Sequence, residues 1–277
     1  LQNTKYSKLP TTGSATCPTG TTTTPCAITD FPYSGSLNLH SLSATYYQTR
    51  SLNWKMVFNY ASNTLNMYEQ SSTGAPVTAF ATNSSGIGDV QLFMSNKLTE
   101  TDWFDINFTL GINLPLGNID QAGGLPNSND MAPYRMQLGS GTYDLHTALD
   151  FQGKYYEYEY GAQLYKITRT GVNVQYYNRG DSLSIKGWGR YNFSTGTQLR
   201  ASLTQNIQAP VEGQDQRISV NTKYTGGKRL DLTVGAGQNF KEYLIYLDYT
   251  YPMLQYQNGV QIKTTGIINF GLRYNYM

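Results

Sequence analysis

Gly266-Ile267-Ile268-Asn269-Phe270-Gly271-Leu272-Arg273-Tyr274-Asn275-Tyr276 reads as an extended strand. Ile268, Phe270, Leu272, Tyr274 and Tyr276 line one face and Asn269, Gly271, Arg273 and Asn275 the other, because successive side chains of a strand point to opposite sides. An apolar and aromatic wall backed by a polar one is what a membrane β-barrel requires, with lipid outside and water inside. One such strand would also serve a soluble sandwich. Recurrence along the chain decides between the two.

The pattern recurs. Phe104, Ile106, Phe108, Leu110, Ile112 and Leu114 alternate with Asp105, Asn107, Thr109, Gly111 and Asn113. Trp54, Met56, Phe58 and Tyr60 make another such face, as do Tyr156, Tyr158, Tyr160, Ala162 and Leu164, and Leu199, Ala201, Leu203 and Ile207. Candidate strands fall over 36–47, 52–61, 89–97, 104–114, 143–151, 156–164, 183–193, 199–207, 218–224, 228–238, 243–251 and the C-terminal stretch, with no helical segment between them. The fold class predicted is all-β: a transmembrane antiparallel up-and-down β-barrel of about twelve strands, within a range of about ten to fourteen. A soluble sandwich would need a second sheet over each apolar face, and its strands are normally shorter.

Such barrels join short periplasmic turns to longer extracellular loops. Short turns fit 99–102, 153–154, 194–197 and 239–242, and long connections fit 65–88, 115–142, 167–180 and 252–264. The alternation is clean if 218–224 belongs to an external loop, but the strand count then becomes odd. Either one more strand lies within residues 1–34, or that segment threads the lumen as a plug.

Composition agrees with the membrane reading. Of 277 residues, 39% are hydrophobic and 14% charged, against about 25% charged in an average soluble domain. Tyr occurs 24 times against 10 Phe and 3 Trp, and its apolar ring with a wet hydroxyl suits membrane–water interfaces. No stretch approaches the ~20 apolar residues of a spanning helix, which does not count against barrel strands. A net charge of +2 without a Lys/Arg cluster argues against nucleic acid as a partner. Two histidines and two cysteines leave little material for a metal, and no cofactor motif is present.

Residues 1–34 are rich in Thr, Ser and Pro and lack periodicity, so they read as an irregular N-terminal segment preceding a barrel over 35–277. The start at Leu1, without a basic or apolar leader, is what a processed secreted chain would show. Cys17 and Cys26 flank a short Thr/Pro/Gly-rich stretch, and a disulfide between them is expected, with an oxidising compartment.

Two groups of inward charges stand out. Asp89, Asp105, Asp144, Asp150, Glu157 and Glu159 would form an acidic wall, and Lys186, Arg190, Arg200, Arg229 and Arg273 a basic one. Held apart, they would set a transverse field that orders polar solutes; paired, they would brace a narrow lumen. Asp144, His146 and Asp150 share one inward edge, where a histidine and a carboxylate could serve hydrolysis. The simpler reading is a histidine satisfied in a lumen network.

Ser85-Gly86-Ile87-Gly88-Asp89-Val90, Gly111-Ile112-Asn113-Leu114-Pro115-Leu116-Gly117 and Met136-Gln137-Leu138-Gly139-Ser140-Gly141-Thr142-Tyr143-Asp144-Leu145 resemble motifs of the outer-membrane β-barrel family labelled as transporters of the meta-pathway of phenol degradation. Arg179-Gly180-Asp181-Ser182-Leu183, Gly226-Gly227-Lys228-Arg229-Leu230-Asp231-Leu232, and Pro252 followed by Gln257-Asn258-Gly259-Val260-Gln261 extend the resemblance over about 85–277. It implies a small barrel passing aromatic or other hydrophobic compounds, and defines no site residues. Physically, the Gly-rich entrances let the backbone bend at the rim, with Asp89, Asp144 and Asp181 capping the bends. The tail Gly271 to Tyr276 resembles the C-terminal signal read by the barrel-insertion machinery.

The expected function is therefore passive passage of small solutes through the outer membrane of a Gram-negative bacterium, without enzymatic activity. The alternative is a scaffold barrel with a closed lumen that holds a partner through its loops, and the third reading is a hydrolase around His146.

Overall fold

In a computed structural model the residues described are 2–7, 30–70, 76–123, 131–218, 220–259 and 261–275. The expected Cys17–Cys26 disulfide, most of the N-terminal segment and the last two residues lie outside them.

The strands are β1 (Gln2–Ser7), β2 (Asp30–Tyr47), β3 (Leu52–Gln70), β4 (Pro76–Ile87), β5 (Val90–Glu100), β6 (Phe104–Leu114), β7 (Asp144–Tyr155) and β8 (Tyr158–Arg169), followed by β9 (Tyr177–Asn178), β10 (Ser182–Asn192), β11 (Thr197–Gln208), β12 (Glu212–Gly213), β13 (Gly227–Phe240), β14 (Tyr243–Gln257) and β15 (Lys263–Tyr274). Thirteen of them form one antiparallel sheet, and β9 pairs with β12 in a small ribbon among the loops. β4 and β5 both pair with β3, one after the other: Tyr60 faces Ile87 and Val57 faces Gln91. They therefore share one stave, interrupted at Gly88-Asp89.

The pairing circuit closes through β1. Thr4 faces Ile267 on β15 and Leu37 on β2, and β2 continues the circuit into β3. Twelve staves result, an even number as in bacterial barrels. The twelfth is β1, within the segment read as irregular, and not 218–224. The described residues of that stretch lie outside the sheet, with a 3-10 turn over Thr222–Tyr224. Its apolar alternation is used differently, since Ile218 is buried in a cluster among the loops.

Side chains sort by parity. Trp54, Met56, Phe58 and Tyr60 on β3, Phe108, Leu110 and Ile112 on β6, and Ile268, Phe270, Leu272 and Tyr274 on β15 are all exposed on the outer surface. They meet like residues across the ladder, as in Ile112 opposite Leu145 and Ile268 opposite Tyr249. Aromatics gather at the short-turn end, with Tyr158 and Tyr191 ring centroids 4.7 Å apart and Tyr243 and Tyr274 4.9 Å apart. Exposed Tyr143, Tyr251 and Tyr256 mark the opposite end. Two such belts are how a barrel meets two membrane interfaces.

Three loop expectations shift, the first being 252–264, which shortens to 258–262 because β14 runs on to Gln257 and β15 begins at Lys263. The turn placed at 153–154 lies at Tyr156–Glu157, with Tyr156 at a positive φ of 51°. Gly153 stays inside β7 because a Cβ there would lie 2.6 Å from Tyr160 Cζ: the glycine makes room for a cross-strand ring. The stretch 65–88 is mostly strand, since β3 and β4 run on past their neighbours as a hairpin. There Asn63 Nδ2 donates to Ser84 Oγ at 3.3 Å. The remaining long connections, 115–143, 170–181 and 209–226, all leave from that same end.

Candidate functional site

Several of the charged residues read as two walls meet an opposite charge close by, most of them one outside both groups. Glu159 on β8 pairs with Arg190 on β10, and Asn192 Nδ2 also donates to Glu159 Oε1 at 2.9 Å. Arg200 on β11 holds Asp248 on β14 through two bonds, Nε to Oδ1 at 2.6 Å and Nη2 to Oδ2 at 2.9 Å. Its guanidinium lies 4.3 Å from the Tyr246 ring centroid, and that ring occupies the space left by Gly271, whose Cβ would lie 2.2 Å from Tyr246 Cζ. Arg229 Nε donates to Asp231 at 2.9 Å, and Lys97 Nζ lies 3.6 Å from Asp105. Asp150 accepts from Gln163 at 2.6 Å. Lys186 sits in register between Gln163 and Thr204. Glu157 lies in the β7–β8 turn, exposed, and Arg273 is exposed near the short-turn end. Opposite charges held this close offset much of each other's field.

His146 is buried against Phe93, with Nδ1 2.5 Å from the Tyr165 hydroxyl. Its hydrogen bond goes to a phenol and not to Asp144 or Asp150. The edge suggested for hydrolysis therefore lacks a carboxylate–histidine contact.

Asp89, at the break between β4 and β5, gathers the loop roots. Oδ1 accepts from Gly117 N at 2.9 Å, and Oδ2 from Ser140 N at 2.7 Å and Asn113 Nδ2 at 2.8 Å. Gly117 and Gly139 permit this, since a Cβ on Gly139 would lie 2.3 Å from Gly117 O and 2.6 Å from Asp89 Oδ1. Asp144 is fully buried, accepts from Thr142 Oγ1 at 2.6 Å and pairs with Arg169. Asp181 accepts from Arg169 N at 2.9 Å. Replacing Asp89 by Ala leaves these donors unmatched, at a cost of about 1–3 kcal/mol. Faster proteolytic cleavage within 115–143 in the folded protein is the expected readout.

Above these roots the loops fold over the mouth. Met136 and Ala132 from the 115–143 loop pack with Leu65, Met67 and Ile262. Tyr134 packs with Tyr177, Val211 and Ile218, its ring centroid 4.7 Å from that of Tyr177. Burial pushes the Tyr134 phenol up to about 12, so it stays protonated and accepts from Asp215 N at 3.2 Å. Arg217 ties the loops by charge, donating to Asp215 Oδ2 at 2.9 Å and to Asp120 Oδ1 at 2.7 Å.

Burial alone would raise the Asp215 carboxyl, but its hydrogen bonds and charge contact with Arg217 outweigh this and lower it from 3.8. A depressed folded value means the stabilisation is present above the ordinary pKa and lost as pH falls through the folded one. The cap should hold from pH 8 to 5 and loosen below about pH 4. Protease accessibility of 209–226 against pH measures this, and Asp215→Asn should remove that acid step.

Under the cap lies a cavity of about 800 Å³. Leu37, Leu65, Met67, Met136, Val211 and Ile262 give it an apolar side, and Arg135, Arg169, Arg179 and Arg229 a basic one. Its size falls within the range of small-molecule pockets. The sequence reading missed Arg179, Tyr134 and Met136 as lining residues, because loop residues carry no period. The available signal was the alternation of apolar Ala132, Tyr134 and Met136 inside a long connection.

No family model matches the chain, and no curated protein does. Among solved structures, the COG4313 outer membrane channel from Pseudomonas putida F1 is similar at a TM-score of 0.58 with 14% identity, over 98% of this chain and 92% of that one. OmpT, an outer membrane protein of Vibrio cholerae, is similar at 0.39 with 8% identity, over 87% and 99%. CdiB from Escherichia coli is similar at 0.36 with 7% identity, over 88% and 48%. The first likeness is one of fold. It joins the closed circuit and the lipid-facing surface in assigning the chain to the transmembrane β-barrels.

Proposed function

We propose that this barrel is an outer-membrane channel through which small solutes diffuse passively, aromatic and other hydrophobic compounds among them. The observation that carries the reading is the closed twelve-stave circuit with an apolar exterior and a polar interior, together with the cavity of about 800 Å³ under the loops. The rim motifs that resemble the phenol meta-pathway family support the aromatic class, and the channel in Pseudomonas putida supports passage. In this reading the short turns face the periplasm, the capped mouth faces outward, and the barrel-insertion machinery reads the C-terminal strand.

A scaffold barrel with a closed lumen is the second reading. It is favoured by the two apolar clusters over the mouth and by the ion pairs below them. Swelling of vesicles carrying the folded protein separates the two. A channel admits small polar solutes that lipid itself excludes, such as amino acids and small sugars, at rates that fall with solute size. Rates equal to those of empty vesicles would favour the scaffold.

A further inference from the structure

Arg179 occupies an unusual place. It follows the β9 strand in the 170–181 loop, and its Nη2 donates to the carbonyls of Tyr134, at 3.4 Å, and Gln137 in the 115–143 loop. Those carbonyls flank Met136, whose side chain packs with Leu65, Met67 and Ile262. The cation and the apolar side of the cavity are thus two faces of one short segment. Among the described residues Arg179 forms no ion pair, and its Nε is enclosed without a hydrogen-bond partner. Two other lining arginines are committed to carboxylates: Arg169 is paired with Asp144 and Arg229 with Asp231. Among the described residues no Asp or Glu lines the cavity.

We infer that the cavity binds an organic monocarboxylate, its apolar body against Leu65, Met67, Met136 and Ile262 and its carboxylate on Arg179. An enclosed cation that meets only neutral acceptors gains most from an anion, because a carboxylate bond is shorter and stronger than one to a carbonyl. Burial lowers the Arg179 pKa and the Arg169 charge works the same way, while Tyr177, Asp89 and Asp144 act against them without reversing the direction. A carboxylate in contact adds to the opposing side and favours the charged guanidinium. The apolar side excludes small inorganic anions as the best occupants, since they would leave about 800 Å³ of largely apolar-walled space unfilled. This deepens the channel reading by naming the solute class, and rests on it for the solute's route.

Isothermal titration of the full chain, folded in detergent, compares benzoate with benzamide, which keeps the ring and loses the charge, and with acetate, which keeps the charge and loses the ring. Benzoate should bind about tenfold or more tightly than either. Arg179→Gln should erase the preference over benzamide, and Arg179→Lys should keep part of it. Asp215→Asn loosens the same loops without touching the cation and should retain it. Equal affinity for benzoate and benzamide, or loss of benzoate binding in Asp215→Asn to the extent seen in Arg179→Gln, would overturn the inference. The measurement needs no transport. Vesicles that do not swell would sink the channel reading alone, and benzoate that does not bind would sink the carboxylate site alone.

Discussion

Asp144→Leu should destabilise the folded barrel by about 3–5 kcal/mol, the largest loss among the single substitutions considered. Asp144 is fully buried and the Arg169 side chain is 12% exposed, so removing the carboxylate strands a nearly buried guanidinium. It also strands Thr142 Oγ1, which donates to Asp144 at 2.6 Å. Urea titration of the protein refolded in lipid vesicles, followed by tryptophan fluorescence, reads the change. The cost comes chiefly from the unpaired charge and not from the worth of the pair, so Asp144→Leu combined with Arg169→Leu should recover more than half of it. A double variant as unstable as the single one would mean that the pair itself holds β7 to β8.

The second large effect tests which way the strands face. Leu203, midway along β11, is 46% exposed on the outer surface, opposite Leu232 of β13. An arginine there should cost about 2–4 kcal/mol if it faces the bilayer midplane. At Thr204, one residue on, an arginine points into the lumen opposite Asp231 and should cost less than about 1 kcal/mol. The same urea titration compares the two. Equal costs would contradict the assignment of inside and outside.

Much of this architecture was legible because a lipid-facing strand must alternate over its whole length. Phe104 to Leu114 reads as β6 without ambiguity, and the parity read from Gly266 to Tyr276 is the parity found on β15. Three features escaped for distinct physical reasons. β1 is short, Gln2–Ser7, and sits in a Thr/Ser-rich context where alternation is weak. Gly153 looked like a turn because its role, receiving the Tyr160 ring, is a cross-strand property that the local sequence does not display. The stretch 218–224 alternates because Ile218 serves the apolar cluster under the loops, which mimics a strand over a few residues.

Charge placement was legible by face and not by partner. The inward position of Glu159, Arg190 and Arg200 follows from parity, but their pairing depends on register across β8, β10, β11 and β14. Arg200 and Asp248 are 48 positions apart, and no local pattern links them. Arg179 is further still from a sequence rule, since its significance comes from three loops that meet over the mouth.

The most direct test of the proposed channel is single-channel current in a planar lipid bilayer, recorded for the wild-type chain and for Asp89→Ala. Discrete current steps from the wild type, with longer open times once the loop roots lose Asp89, are the predicted result. A silent bilayer for both, with protein shown to be folded and inserted, would contradict it.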